Sequence, residues 1–476
     1  MIASLQILLP EIFLSGVALF LFGMDTFISR RLKAWTIFIS LAALFLALFV
    51  VIWSPWSGRV FGMVVSDVFS SFFKILAITS SILIFLLSED DPELMGPHAG
   101  TYAGLIILST VGIMFLSGTE DLLILFLGLE LTTVPLFILA GFLRKEERSS
   151  ESAIKFFLVG VFSTGLMIYG ISFLYGLCGG THFSDLQQWI TTNRSENLTL
   201  FLIGIFFLLA GLGFKFSLVP FHQWTPDTYQ GAPTPITAFF SISRDAGVLV
   251  IFLRLFGHFI PKSPLNLTGF FMVISVLTMT IGNLTALRQT NLKRLLAYSS
   301  IAHAGTIFIG VVAGNALGRE GAMIYSIAYS MMSLGAFAVV IAVSRIKGND
   351  ELNAVQGLAQ ENLGLALLML FFLMSLAGIP PFLGFLGKFY VFLAAVNEKM
   401  YGLVAIGLLN SVIAVYYYFR IVHKMFFMSP EETRPSPNRQ FSVQTVAWFA
   451  ASVLLIFGTF PEPILFWAKS ASQILP

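Results

Sequence analysis

The chain has 476 residues, 57% of them hydrophobic and only 11% charged, and its mean hydropathy is +0.87. That balance belongs to a polytopic helical membrane protein, and a net charge of +2 gives no support to nucleic-acid binding. A single cysteine, Cys178, excludes iron–sulfur ligation and any disulfide within the chain, and no glycine-rich nucleotide loop or P-loop pattern occurs.

Apolar runs of about 20 residues recur from end to end, as membrane-spanning helices require. They predict helices near Leu5–Met24, Ala34–Trp53, Val68–Leu87, Tyr102–Leu116, Leu122–Leu143, Ala153–Tyr175 and Leu198–Phe221. After a proline-rich break the pattern resumes at Ile236–Phe256, Leu267–Leu287, Leu292–Val312, Gly321–Ser344, Leu363–Val396, Tyr401–Phe427 and Val443–Trp467. This amounts to about 14 spans. The first run contains Glu11 and follows no Lys or Arg, so it reads as a retained helix rather than a secretory signal. Most loop cations, among them Arg30, Lys33, Arg144, Lys145, Arg148, Lys293 and Arg345, fall on one side of these spans. Arg59, Arg194, Lys262, Arg319, Lys399 and Lys469 fall on the other. The first side is therefore cytoplasmic and both termini lie outside. Lys74, Lys215, Arg244, Arg254 and Lys388 remain within the spans. The polar segments Cys178–Asn197 and Ser429–Gln440 are too short to bury a core of their own.

The stretch Gly211–Pro235 sets Lys215 in an apolar helix and then interrupts that helix with Pro220, Pro226, Pro233 and Pro235. A charge at mid-membrane costs at least ~2.5 kcal/mol on insertion scales, so such a residue reads as functional. A helix can be broken at membrane depth only where its freed backbone groups face protein or a wet cavity, and broken helices of this kind line transport sites. A second such segment, Ser375–Phe389, reverses the order: Pro380 and Pro381 precede Lys388. The two segments lie five helices apart, which gives them opposite directions in the membrane, the pattern of an inverted repeat. The chain then divides into three leading helices (1–100), a five-helix repeat (101–260), its inverted counterpart (261–428) and a C-terminal helix (429–476). The alternative is that these prolines only kink packed helices.

Glu130, mid-span in its own helix, is the expected partner of Lys215. A carboxylate beside an ammonium group can stay charged, and the energy of the pair depends on which partner holds the proton. The pair is then a switch; the alternative is a fixed strut between two helices. Lys388 has no acidic residue near it in sequence, and apolar residues flank it for two turns each way; the alternative is a lysine snorkelling to an interface. Lys293 and His303 lie ten residues apart on one helix, with Tyr298, Ser299 and Ser300 between them to carry a hydrogen-bonded water chain. A histidine titrating near neutrality suits proton relay. The alternatives are a surface anchor for Lys293 and a neutral, carbonyl-bonded core histidine for His303. His222 sits at the first break, where it either relays or caps freed carbonyls. Arg244 and Asp245 are adjacent near the start of a span and can form a local salt pair there.

The segments GLELTTVPLF, KFSLVPFHQWTPDTYQGAPTP, NLKRLLAYSSIAHAG and GIPPFLGFLGKF, in this order over nearly the whole chain, resemble the subunit N family of bacterial NADH:quinone oxidoreductase, respiratory complex I, and more widely its antiporter-like subunits. The resemblance implies a proton channel in the membrane arm of a translocase in the bacterial inner membrane, partnered by other membrane-arm subunits, both antiporter-like and small. It implies no cofactor in this chain: NADH, FMN, iron–sulfur clusters and quinone belong to partner subunits. By position, Glu130 and Lys215 match the family's Glu/Lys pair, Lys293 and His303 its central relay, and Lys388 its terminal lysine. One site departs from the pattern. Where the family carries a lysine on the helix after the break, this chain has Asp245, preceded by Arg244, and an arginine holds its proton too tightly to be an ordinary carrier. A multisubunit sodium/proton antiporter shares these motifs and is the competing class.

Overall fold

The computed structural model describes residues 6–27, 35–53, 57–192, 197–256, 267–430 and 440–473, with only the backbone at 27 and 243–245. The expected helix starts at Leu5 and Ala34 and the loop cations Arg30, Lys33, Arg194 and Lys262 lie outside these residues. In lipid every backbone N–H and C=O must be satisfied within the chain, so the long apolar runs close into helices. The first group is α1 (Leu9–Phe27), α2 (Trp35–Trp53), α3 (Val68–Ser88), α4 (Ala99–Ser117), α5 (Leu122–Ala140) and α6 (Glu147–Cys178). A short surface helix α7 (Phe183–Thr192) precedes α8 (Leu198–Lys215), α9 (Trp224–Gly231) and α10 (Thr234–Ile251), and a π-helical turn, Phe252–Phe256, continues α10. The rest comprises α11 (Leu267–Ala286), α12 (Leu292–Ala313), α13 (Ala316–Lys347), α14 (Leu363–Ala377), α15 (Leu383–Asn397), α16 (Tyr401–Phe427), α17 (Phe441–Thr459) and α18 (Glu462–Ser472).

Among the described residues 13 helices are long and apolar enough to cross a membrane. Two shorter apolar helices, α14 and α15, lie in series on either side of the second break. Helix α13 is the spine: its membrane window is entirely buried, and it packs against α10, α12, α15 and α17. By contrast α6, α11 and α16 bury only a minority of their windows and turn large apolar side chains such as Phe162, Val273 and Val412 outward, as lipid-facing helices do.

Three features depart from the expected elements. The C-terminal segment is two helices rather than one, because Pro461 caps α18 and lacks the N–H that would continue α17. The loop before α3 forms a two-stranded antiparallel hairpin, β1 (Gly58–Val60) and β2 (Val64–Ser66). The hairpin adds to the wall around the start of α5 through hydrogen bonds from Val65 N to Gly118 O and from Glu120 N to Met63 O. The first break also comes early, with α8 ending at Lys215 itself.

Candidate functional site

Both breaks satisfy their freed backbone groups from protein, as membrane depth demands. At the first, Trp224 Nε1 donates to Phe214 O (2.9 Å) and Val219 N to Thr278 Oγ1 (3.0 Å), while Thr225 Oγ1 donates to the Ser217 side chain (2.7 Å). The ammonium of Lys215, 4% exposed, emerges here and reaches back to α5. It donates to Thr133 Oγ1 at 2.8 Å and lies 3.3 Å from Glu130 Oε1, which also accepts from Thr164 Oγ1 at 2.8 Å. The rings of Phe137 and Phe214 stand 5.5 and 5.8 Å from the same nitrogen, within cation–π range. The lysine is thus sealed while its carboxylate, 23% exposed, lies on the flank of the chain.

The second half of the first break, α9, is held by charge at the end of the chain expected to face the cytoplasm. Asp227 takes Arg294 Nη1 at 2.6 Å and Lys155 Nζ at 3.2 Å. These groups, with Arg148, Glu151 and Gln230, line a polar cavity of about 200 Å³. Behind it, Lys293 is 6% exposed, donates to Ala232 O at 2.7 Å where α9 ends, and faces Asp350 Oδ2 at 3.8 Å. Lys293 is thus buried at the start of α12 rather than exposed there.

His303 lies ten residues further along α12, about 15 Å by helical rise. Its partners are tyrosines rather than a carbonyl: Nδ1 meets Tyr325 OH at 2.8 Å and Nε2 meets Tyr418 OH at 3.0 Å. Tyr418 in turn bonds closely to Ser299 Oγ. A serine, a tyrosine, an imidazole and a second tyrosine therefore form one chain in which each member can accept and release a proton. Of the residues expected between Lys293 and His303, Ser299 joins it. Ser300 donates to Ala297 O, and Tyr298 lies 5.9 Å below the Arg294 guanidinium.

Tyr325 leads to the second break, since its backbone and ring carbons pack where a Cβ on Gly387 would stand, one residue before Lys388. Lys388 is 7% exposed and donates to Leu376 O and Ala377 O, both at 3.0 Å, the carbonyls left free where α14 stops. This is a buried, bonded position and not a snorkelling one. Gly378 makes it possible: its φ is +84°, and a Cβ there would lie 2.8 Å from Lys388 Cδ.

The structure therefore joins Glu130 to Lys215, puts His303 between two tyrosines and ties Lys388 to its own break. His222 is half-buried in the turn before α9, its carbonyl accepting from Thr225 N. The side chains of Arg244 and Asp245 lie outside the described residues. Their backbone falls near the middle of α10 rather than at its start. Sequence reading missed Thr133, Thr164, Tyr325, Tyr418 and Asp350. Thr133 was within reach, lying one turn from Glu130 on the same helix face; the tyrosines come from helices distant in sequence, and nothing local marks them.

Residues 119–414 match the family described as NADH:quinone oxidoreductase/Mrp antiporter, transmembrane. The NADH-quinone oxidoreductase subunit N of Trichlorobacter lovleyi is 38% identical over 99% of this chain and 98% of its own length. A chain of respiratory complex I from Thermus thermophilus, solved with bound aureothin, superposes with TM-score 0.81 at 29% identity, covering 96% of this chain and 98% of that one. A chain of the Mrp complex from a Dietzia species gives TM-score 0.83 at 20% identity, over 99% and 97%, which shows a shared fold alone. The protein thus belongs to the NADH:quinone oxidoreductase/Mrp antiporter transmembrane family and, within it, to the subunit N sequences of NADH-quinone oxidoreductase.

Proposed function

We propose that Glu130, Lys215, Lys293, His303 and Lys388 are the proton relay of this chain, with His222, Arg244 and Asp245 at the crossing between its two halves. The chain is a proton-translocating membrane-arm subunit of bacterial NADH:quinone oxidoreductase. It is a multi-pass protein of the inner membrane, partnered by other membrane-arm subunits. Electron transfer belongs to partner subunits, where NADH, FMN, iron–sulfur clusters and quinone are bound; this chain, with Cys178 as its one thiol, has no ligand set for a cluster.

One observation carries the relay: three lysines, each 7% exposed or less, hold their ammonium groups on partners of different kinds inside an apolar body. Lys215 has a carboxylate and a threonine, Lys293 a carbonyl with an aspartate behind it, and Lys388 two carbonyls. Removing an ammonium from water favours release of its proton, and a neighbouring carboxylate opposes that release. Opening and closing the Glu130–Lys215 pair therefore loads and discharges the line. Protons enter from the cytoplasm, pass through Lys293 and the Ser299–Tyr418–His303–Tyr325 chain, and leave by Lys388 to the outside. The division into inverted halves is supported by the breaks: Lys215 ends the first segment of its broken helix, whereas Lys388, in the second segment of its own, reaches back to the first. Exchange of sodium for protons in a multisubunit antiporter is the competing reading, and a relative named subunit N at 38% identity over the full length favours the former.

Lys215→Ala should assemble into the complex but, reconstituted in vesicles, should fail to acidify the lumen. Normal pumping by that variant would remove Lys215 from the relay.

A further inference from the structure

The leading helices hold buried charge that this relay does not use. Glu11, in the first turn of α1, meets Lys74 of α3 at 2.6 Å, with side-chain exposures of 1% and 3%. The second carboxylate oxygen, Oε2, is buried and has no hydrogen-bond partner among the described residues. The pair is as deeply sealed as Lys215, yet it sits outside both broken helices.

Below it, α3 presents Ser81 and Ser88, seven and fourteen residues after Lys74 and therefore on the same helix face. Ser81 Oγ meets Thr110 Oγ1 of α4 at 2.6 Å, and Ser88 Oγ meets Tyr102 OH of α4 at 2.7 Å. Ser81 and Thr110 also contact the carbonyls four residues back, Ala77 O and Ile106 O. Two hydroxyl protons thus serve three contacts, and the proton between the oxygens can sit on either. The antiparallel register of α3 and α4, Ser88 beside Tyr102 and Ser81 beside Thr110, brings Lys74 level with Ser117. The carbonyl of Ser117 takes Arg254 Nε at 2.9 Å, and Arg254 grips both oxygens of Asp67 at 2.8 Å. At the cytoplasmic end, Thr101, next to Tyr102, donates through Oγ1 to Asp25 Oδ2 at 2.7 Å. Spaced polar groups, buried along the middle and part-buried at the Asp25 end, therefore follow α3 and α4, with a carboxylate at each end.

We propose that this thread is a second proton path, separate from the lysine relay, which the Glu11–Lys74 pair holds shut. Conduction along it breaks and forms only O–H bonds: each oxygen accepts one proton and passes on its own, so no oxidant or co-reactant is required. The two hydroxyl pairs stand one heptad apart, about 10 Å along the helix, so the path conducts only when water threads between them. At the outer end the ammonium of Lys74 repels an arriving proton, and Glu11 pins that ammonium across the thread.

The test uses the intact complex in lipid vesicles, without NADH, under a potassium diffusion potential, with a trapped pH-sensitive dye reporting passive proton entry. Lys74→Gln removes the barring charge and leaves Glu11 free to take up and release a proton, so leakage should rise several-fold over the parent. Glu11→Gln leaves the positive charge in place without an acceptor and should stay as tight as the parent. Adding Ser81→Ala and Thr110→Val to Lys74→Gln should return leakage to the parent level, because the thread is cut. Lys74→Met, which removes the same charge with an unbranched side chain of similar length, should leak in the same sense and so serves if Lys74→Gln fails to assemble. Equal leakage from Lys74→Gln and Glu11→Gln, leakage unaffected by loss of the two hydroxyls, or a tight Lys74→Met complex would each overturn the proposal and leave the pair a strut.

Discussion

Gly378 tests whether Lys388 acts through its position on the end of α14. With φ at +84°, Gly378→Ala pays the left-handed penalty of an L-residue, about 1–2 kcal/mol. Its new Cβ would also stand 2.8 Å from Lys388 Cδ and 3.3 Å from Nζ, which forces the lysine off Leu376 O and Ala377 O. Each of those hydrogen bonds to a charged group contributes about 1.5–3 kcal/mol, so the displaced ammonium loses several kcal/mol of local stabilisation. Gly348, which caps α13 at φ +75°, supplies the control, because a Cβ there meets nothing within 4 Å. Gly348→Ala pays the same backbone penalty and moves no lysine. Both variants should lower the midpoint of thermal inactivation of the purified complex, Gly378→Ala by clearly more than Gly348→Ala. Only Gly378→Ala should lose protons pumped per electron, measured by lumen acidification against NADH oxidation at matched complex content. Equal pumping by the two variants would show that the seat of Lys388 is irrelevant to transport.

Glu130→Gln keeps the shape of the carboxylate and its contact with Thr164 but cannot change charge, so coupled quinone reduction by the whole complex should fall strongly; unchanged coupled turnover would make the Lys215 pair a strut. Tyr418→Phe keeps the ring and deletes the hydroxyl that joins Ser299 to His303, stranding buried groups at a cost of about 1–3 kcal/mol. Pumping should drop in that variant while assembly, read on native gels, survives; full pumping would place the proton route elsewhere on α12.

The spans and the two breaks were legible because lipid enforces long apolar runs and because lysines and prolines stand out within them. Glu130 and Lys215 could be paired from depth alone. Tyr325 and Tyr418 could not be linked to His303 in the same way, since a tyrosine in an apolar helix looks like any other core aromatic until three helices are docked. Lys74 and Arg254 stood out as intramembrane cations, yet their partners Glu11 and Asp67 lie 63 and 187 residues away, and only the packing of α1 against α4 and of α10 against α3 brings them within reach. The split at Pro461 was visible as a proline but was masked by the apolar residues on either side of it.

The difference between the partners of Lys215 and Lys388 bears on how each responds to voltage. Lys215 can pass its proton to Glu130 across 3.3 Å, and both groups become neutral with no change in the charge of the site. Lys388 faces carbonyl oxygens that cannot take a proton, so every loading or unloading there alters the local charge by one full unit inside the insulating layer. A charge carried across the entire bilayer is worth about 2.3 kcal/mol per 100 mV, and Lys388 feels the fraction of that field at its depth. Occupancy of the second break is thereby tied to membrane potential, while a transfer within the first pair passes almost unnoticed by it; a steep electrical back-pressure would therefore stall the chain at Lys388 and leave Lys215 free to exchange.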